Sequence, residues 1–148
     1  MIITYPNEIL RKKSNLVTLD EIKSGKIKKL IKEMRENLVD EKGIGLAAVQ
    51  IGVHKRVVLV EVDEGEVNAY INPVIKRKSL KKIAIEEGCL SVPGKHGYVK
   101  RSETIWLEAL DETGKKLKLK ARGLPAIVFQ HEIDHTNGIL FIDKIKKY

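Results

Sequence analysis

The chain has 148 residues, 43% of them hydrophobic and 32% charged, with 28 basic side chains against 20 acidic ones and a net charge of +8. That length and balance suit a single folded domain with a real core and exclude a disordered or low-complexity polymer. One cysteine, Cys89, excludes an internal disulfide and leaves three roles for that residue: small buried hydrophobe, metal ligand or nucleophile.

The opening run, Met1 to Glu8, has no basic segment leading into a sustained apolar stretch. No stretch anywhere approaches the roughly 20 apolar residues of a membrane helix, so the expectation is a cytoplasmic protein without a membrane partner. The basic residues recur at Lys12-Lys13, Lys28-Lys29, Lys76 to Lys82 and Lys115 to Lys120. No nucleic-acid motif accompanies them and aromatics make up only 5%. They read as a solvated surface of the kind thermophile proteins carry, with weak attraction to a ribosome but no specific nucleic-acid partner.

Ile27, Leu30, Ile31, Met34 and Leu38 form one apolar stripe at helical spacing, which predicts a helix from about residue 26 to 41, ended by Gly43. Gly43 to Gln50 then reads as a glycine-rich turn toward a strand. The β-branched run Val57 to Val62 is that strand. Further strand-like pieces are Ala69 to Ile71, Val74 to Lys76, Lys82 to Glu86, Ile105 to Leu110 and Lys115 to Leu119, the last two joined by the turn Asp111-Glu112-Thr113-Gly114. A second helix begins at Leu124-Pro125, where a first-turn proline costs little, and runs to about Thr136 before Asn137-Gly138. Its apolar residues Leu124, Ala126, Ile127, Val128, Phe129 and Ile133 cover nearly its whole circumference, so it belongs inside the protein. The expected class is α+β: antiparallel or mixed sheets packed around a central buried helix.

That helix carries His131-Glu132-Ile133-Asp134-His135. Residues four apart stand one above the other, about 6 Å along the axis, so two imidazoles can converge on one metal ion. Glu132, turned by about 100°, reaches a water beside that ion. The plain alternative is a pair of structural histidines, but unpaired imidazoles beside a carboxylate are costly in an apolar core. A catalytic metal usually takes three protein ligands and a water. After His135 the one acid is Asp143, and Phe141 stands where one peptidase pattern needs a third histidine. The third ligand is therefore Asp143 or an upstream residue: His54, His96 or Cys89. Cys89 has the most specific surroundings.

Three blocks, Gly43-Ile44-Gly45-Leu46-Ala47-Ala48-Val49-Gln50, Glu87-Gly88-Cys89-Leu90-Ser91 and His131-Glu132-Ile133-Asp134-His135, together resemble the signatures of peptide deformylase, in that family's order. The resemblance runs from the first helix to the end and implies one catalytic domain over residues 1–148. It implies removal of the formyl group from the N-terminal formyl-methionine of new proteins, with N-formyl-methionyl nascent peptides as partners. It also implies one divalent metal per chain on Cys89, His131 and His135, natively Fe²⁺ with Zn²⁺, Ni²⁺ or Co²⁺ also found. In that scheme a metal-activated water attacks the formyl carbon, Glu132 is general base and acid, and the Gln50 amide and the Leu90 backbone N–H receive the developing oxyanion. Gly45 lets the substrate backbone approach closely. Leu124, Ile127 and Val128 lie on the His131 face and, with Ile44, are candidates to line a pocket for the substrate methionine. Glu87 and Asp134 are candidates to accept the second N–H of a ligating imidazole.

The chain departs from the family pattern at His96, where an arginine is common, and at Thr136, where leucine is usual and local packing is expected to loosen. Two rivals predict different behaviour: a general zinc peptidase cutting internal bonds, and a basic RNA-binding module with a closed, structural metal site.

Overall fold

The computed structural model describes residues 1–145. Two short helical pieces precede the first long helix: a 3-10 turn at Glu8–Arg11 and α1 (Leu19–Lys23), whose start is closed by Thr18 and Glu21 bonding each other's backbone N–H. The stripe foreseen from spacing forms α2 (Lys26–Asp40), with Ile27, Leu30, Ile31, Met34 and Leu38 all buried. It stops where the Gly43 N–H turns back to the Leu38 carbonyl.

Five antiparallel strands follow in the order β1 (Gly45–Ala47), β2 (Val57–Asp63), β3 (Glu66–Lys78), β6 (Thr104–Leu110) and β7 (Lys116–Arg122). Between the third and fourth of these the chain makes a separate hairpin, β4 (Lys82–Cys89) and β5 (Val92–Ser102). The helix α3 (Leu124–Thr136) and a 3-10 turn at Phe141–Asp143 close the order. The architecture is α+β with antiparallel sheets, as the pattern of elements implies.

The unbroken apolar run Val57 to Val60 has a direct cause: both faces of β2 are covered. Val57 and Leu59 pack with α2, while Val58 and Val60 pack with Ala126, Val128 and Phe129 of α3. Ten residues of α3 from Ala126 to Thr136 are buried, in keeping with its apolar circumference.

Three details differ from the sequence reading. The pieces at Ala69 to Ile71 and Val74 to Lys76 are one strand, because Asn72 (φ 52°) and Pro73 sit in a register shift that a strand can hold without losing its partner. Asn72 anchors that bulge by bonding both backbone groups of Val17. The strand β5 carries Pro93, Gly94 and Gly97, residues that weaken any strand signal, yet Gly97 to Ser102 and Val92 pair with β4, and Pro93 to His96 fall in the register shift between them. Gly43 to Gln50 holds a short strand and a 3-10 turn rather than a turn alone.

The turn after α3 is tied to the N-terminal segment. Arg11 donates to both carboxylate oxygens of Asp143, which also accepts the Leu140 N–H. The bond from Arg11 holds the Asp143 carboxyl below its usual range. Such a group contributes stability above its unfolded pKa, about 3.9, and loses it as pH falls through the lower folded value. The stability difference between the parent chain and Asp143→Asn is therefore expected to shrink below about pH 4. Urea unfolding from pH 6 to pH 3 measures it; a difference independent of pH would refute the clamp.

Candidate active site

The helix α3 sets the two imidazoles on one face, as i, i+4 spacing requires. His131 Nε2 and His135 Nε2 lie 3.2 Å apart. From the hairpin, Cys89 brings its Sγ to 3.3 Å from His135 Nε2. The three donor atoms all lie within 4.8 Å of one another. Two nitrogens on a tetrahedral zinc-like ion stand about 3.3 Å apart and a nitrogen and thiolate about 3.6 Å, so this spacing fits a divalent metal. The burial of three lone-pair donors facing one another points the same way. His54 and His96 lie outside the cluster: His54 Nε2 meets the Ile9 carbonyl, and His96 stands at the cavity rim against Gly88. Asp143 is engaged by Arg11.

His131 is held from behind. Its Nδ1 donates to Glu87 Oε1 at 2.9 Å, which turns Nε2 toward Cys89 and His135. Glu87 is gripped by Arg101, with Nε to Oε2 at 2.6 Å and Nη2 to Oε1 at 3.1 Å. Arg101 also reaches Asp134 at 2.9 Å, and Lys144 meets Asp134 at the same distance. Asp134 thus serves neither imidazole, contrary to the expectation that it accept an imidazole N–H; it faces Arg101 instead. Arg101 is 4% exposed and had no signal in the sequence, where it reads as one more cation of a basic chain.

The electrostatics follow from this packing. Burial opposes charge on Glu87, but bonds from His131 and Arg101 outweigh it and hold the carboxyl below its usual range. Burial likewise opposes charge on His131, yet Glu132, Cys89 and Glu87 together raise its pKa. His135 is pushed well below its usual value by burial and by the charge on His131. Glu132 is raised to about 7, first by burial, with His131 and Arg101 pulling the other way. Its Oε1 and the Nδ1 of His135 are buried with no hydrogen-bond partner among the described residues, and His135 Nε2 stands 4.0 Å from that oxygen.

Around this cluster lies a cavity of about 460 Å³. Ile44, Gly45, Gln50, Cys89, Leu90, Leu124, Ile127, Val128, His131 and Glu132 all line it, so the residues given metal, catalytic or substrate-pocket roles by the family resemblance are here except His135, which is fully buried beneath. Gln50 is fixed at both ends: its Oε1 accepts the Ala47 N–H, and its Nε2 donates to Ser91 Oγ with Cys89 Sγ at 3.7 Å. At Gly45 a Cβ would stand 2.5 Å from Glu132 Oε2 and 2.7 Å from Val128 Cγ1, so only glycine lets β1 pass this close to α3. Thr136 does not loosen the end of the helix: its hydroxyl donates to the Ile133 carbonyl at 2.6 Å and accepts from Arg56 at 3.0 Å.

Comparison with known proteins places this geometry. The family described as polypeptide deformylase matches residues 1–148. A peptide deformylase of Neisseria meningitidis serogroup C is 44% identical over 149 residues, covering 99% of this chain and 86% of that protein. One from Thermodesulfovibrio yellowstonii is 46% identical over 145 residues, with 95% and 86% covered. Among solved structures, the class I type b peptide deformylase of Acinetobacter baumannii with Met-Ala-Ser bound has a TM-score of 0.94 at 32% identity, with 98% and 97% covered. A probable peptide deformylase of Synechococcus phage S-SSM7 has a TM-score of 0.91 at 41% identity, with 98% and 99% covered.

Removing Arg101 would take the one cation away from the buried Glu87 carboxylate, leaving it only the His131 N–H, while the partly buried Asp134 would keep Lys144. Arg101→Ala is therefore expected to lower the unfolding free energy by about 3–5 kcal/mol. Urea titration at neutral pH measures this, and a loss within about 1 kcal/mol would show that the network carries little of the fold.

Proposed function

We propose a division of labour among these residues on one premise: the chain belongs to the polypeptide deformylase family. Its activity is the hydrolytic removal of the formyl group from the N-terminal formyl-methionine of newly synthesised proteins. In this reading residues 1–148 act as one catalytic domain in the cytoplasm. Among the described residues no helix is long and apolar enough to cross a membrane.

Cys89, His131 and His135 hold the metal. A divalent ion there supplies a Lewis acid and lowers the pKa of its water from about 15.7 toward 7. The thiolate suits soft and borderline ions as a class, and among these the family resemblance favours Fe²⁺ as the native one, with Zn²⁺, Ni²⁺ and Co²⁺ as substitutes. Glu87 keeps His131 in the tautomer that presents Nε2.

Glu132 carries the proton. Its carboxylate lies in the cavity wall beside the histidines, with one buried oxygen unpartnered, and burial places its pKa near 7. It takes a proton from the attacking water and returns it to the amine nitrogen as the C–N bond of the formamide breaks. The formyl oxygen, negative once its carbon is tetrahedral, is met by the Gln50 amide and the Leu90 backbone N–H. Because the Ala47 N–H already holds Gln50 Oε1, the amide N–H end is aimed before substrate arrives.

The substrate backbone passes over Gly45, where a side chain would displace Glu132. Its methionine side chain enters the apolar part of the cavity. Ile127 and Val128 form the buried wall, and Ile44 and Leu124, 41% and 55% exposed, stand at the mouth. The Met-Ala-Ser bound by the Acinetobacter baumannii relative supports a methionine-first peptide as the occupant. The net charge of +8 supports weak attraction to the ribosome on which such peptides emerge.

The meeting of three donor atoms beside an unpartnered carboxylate oxygen carries this reading. Glu132→Gln is expected to keep fold and metal content while turnover of formyl-Met-Ala-Ser falls by about 10²–10⁴-fold. Near-normal turnover would remove Glu132 from the mechanism, and digestion of internal peptide bonds with the formyl peptide untouched would favour the peptidase alternative. Loaded anaerobically with Fe²⁺, Ni²⁺ or Zn²⁺, the enzyme is expected to be slowest with Zn²⁺; equal rates would refute Fe²⁺ as the preferred working ion.

A further inference from the structure

The strands β6 and β7 have two unlike faces. Ile105, Leu107, Ala109 and Ala121 point inward and pack with α3. The alternate residues point the opposite way, and on β7 these are Lys116, Lys118, Lys120 and Arg122, all exposed. Register then aligns two cations across an aromatic ring: Arg77 on β3, Trp106 on β6 and Lys120 on β7 form one row. The Arg77 guanidinium lies 4.8 Å and the Lys120 ammonium 5.5 Å from the Trp106 ring centroid. In the next row Lys118 stands opposite Glu108, whose carboxylate meets Lys76 at 3.4 Å. Among the described residues no carboxylate forms an ion pair with Lys118 or Lys120.

Lysines on an edge strand guard against pairing with another sheet, and β7 is an edge. That role needs cations on β7 alone. It does not account for Lys76 and Arg77 two strands away, or for two cations ordered on the chain's one tryptophan. Cations already held by ring contacts and strand register lose little freedom on binding a polyanion.

We propose that this sheet face binds RNA through its phosphate backbone. Charge complementarity argues for a polyanion. A membrane surface is a poorer match: Trp106 sits half-buried between its cations, and the exposed apolar side chain of these rows is a single short valine, Val74 opposite Glu108, too small to insert. The choice of RNA rests on the deformylase reading, since nascent peptides emerge from a particle built largely of RNA. The face lies across the sheet from α3, so the chain can dock there with its cavity open.

The test titrates the full chain into fluorescein-labelled single-stranded oligouridine, followed by anisotropy and by the emission of Trp106. Saturable binding is expected at about 50 mM salt, with log K falling against log salt at a slope of about −3 for four cations neutralised. K118E/K120E is expected to bind at least about tenfold more weakly, with formyl-peptide turnover unchanged. Absence of binding, a double variant that binds like the parent, or tighter binding to phosphatidylserine vesicles than to RNA would each overturn the proposal. A parent chain that binds RNA but leaves formyl peptides intact would sink the enzyme reading and not this one.

Discussion

The hydrogen bond from His131 Nδ1 to Glu87, 2.9 Å long inside the protein, is the contact on which the rest of the site depends. It decides which nitrogen of His131 carries the proton and so leaves Nε2 to face His135 and Cys89. It also creates a problem, since a carboxylate removed from water needs a partner of opposite sign. Arg101 answers that with two bonds to Glu87, and its remaining N–H groups bring in Asp134. Lys144, 40% exposed, ends the chain of alternating charges at the surface. Buried ion networks are seldom the cheapest route to stability, since apolar replacements often do as well. This one has a different use: it sets one imidazole in one orientation within an otherwise apolar interior.

That interior is what makes the site possible. With α2 on one side of the sheet and α3 on the other, β2 can be apolar on both faces, and α3 can be apolar around nearly all its circumference. A helix so enclosed keeps bulk water from His135 and most of Glu132, which is why burial dominates both of their proton affinities. The close pass of β1 at Gly45 extends the enclosure to the carboxylate itself, while the exposed Ile44 and Leu124 stand at the mouth of the cavity.

What could be read from the sequence follows from how local each signal is. The stripe of α2, the run of β2 and the histidines of α3 are set by spacing within one element, and each stands where its period puts it. Cys89 belongs to a different element, so spacing alone left it beside His54, His96 and Asp143; only its surrounding block and the family resemblance distinguished it. β5 was hidden by Pro93, Gly94 and Gly97, which it accommodates because β4 pairs with Gly97 onward and a register shift takes up Pro93 and Gly94. Arg101 was invisible because its role exists only when β5 and α3 meet. The misreading of Asp134 has the same origin: it lies near the imidazoles along the helix, but the charge that claims it comes from another strand.

The hairpin and the helix meet in matching steps. Alternate residues of a strand lie about 6.6 Å apart on one face, and residues four apart on a helix are separated by about 6 Å along its axis. Glu87 and Cys89 are two apart on the hairpin, and His131 and His135 are four apart on α3. Glu87 reaches the first histidine and Cys89 the second, so one strand step answers one helix step and the near-equality of the two repeats brings both contacts into range. A register shift lies between these two hairpin residues, at the point where the strand turns into the loop that carries Leu90 and Ser91. A slip of one residue would exchange the strand's faces and withdraw orienting carboxylate and thiolate together. The short spacing within Glu87-Gly88-Cys89 is therefore a geometric requirement of pairing a strand with a helix, and Gly88, where a Cβ would stand only 3.0 Å from His96, keeps the intervening position narrow.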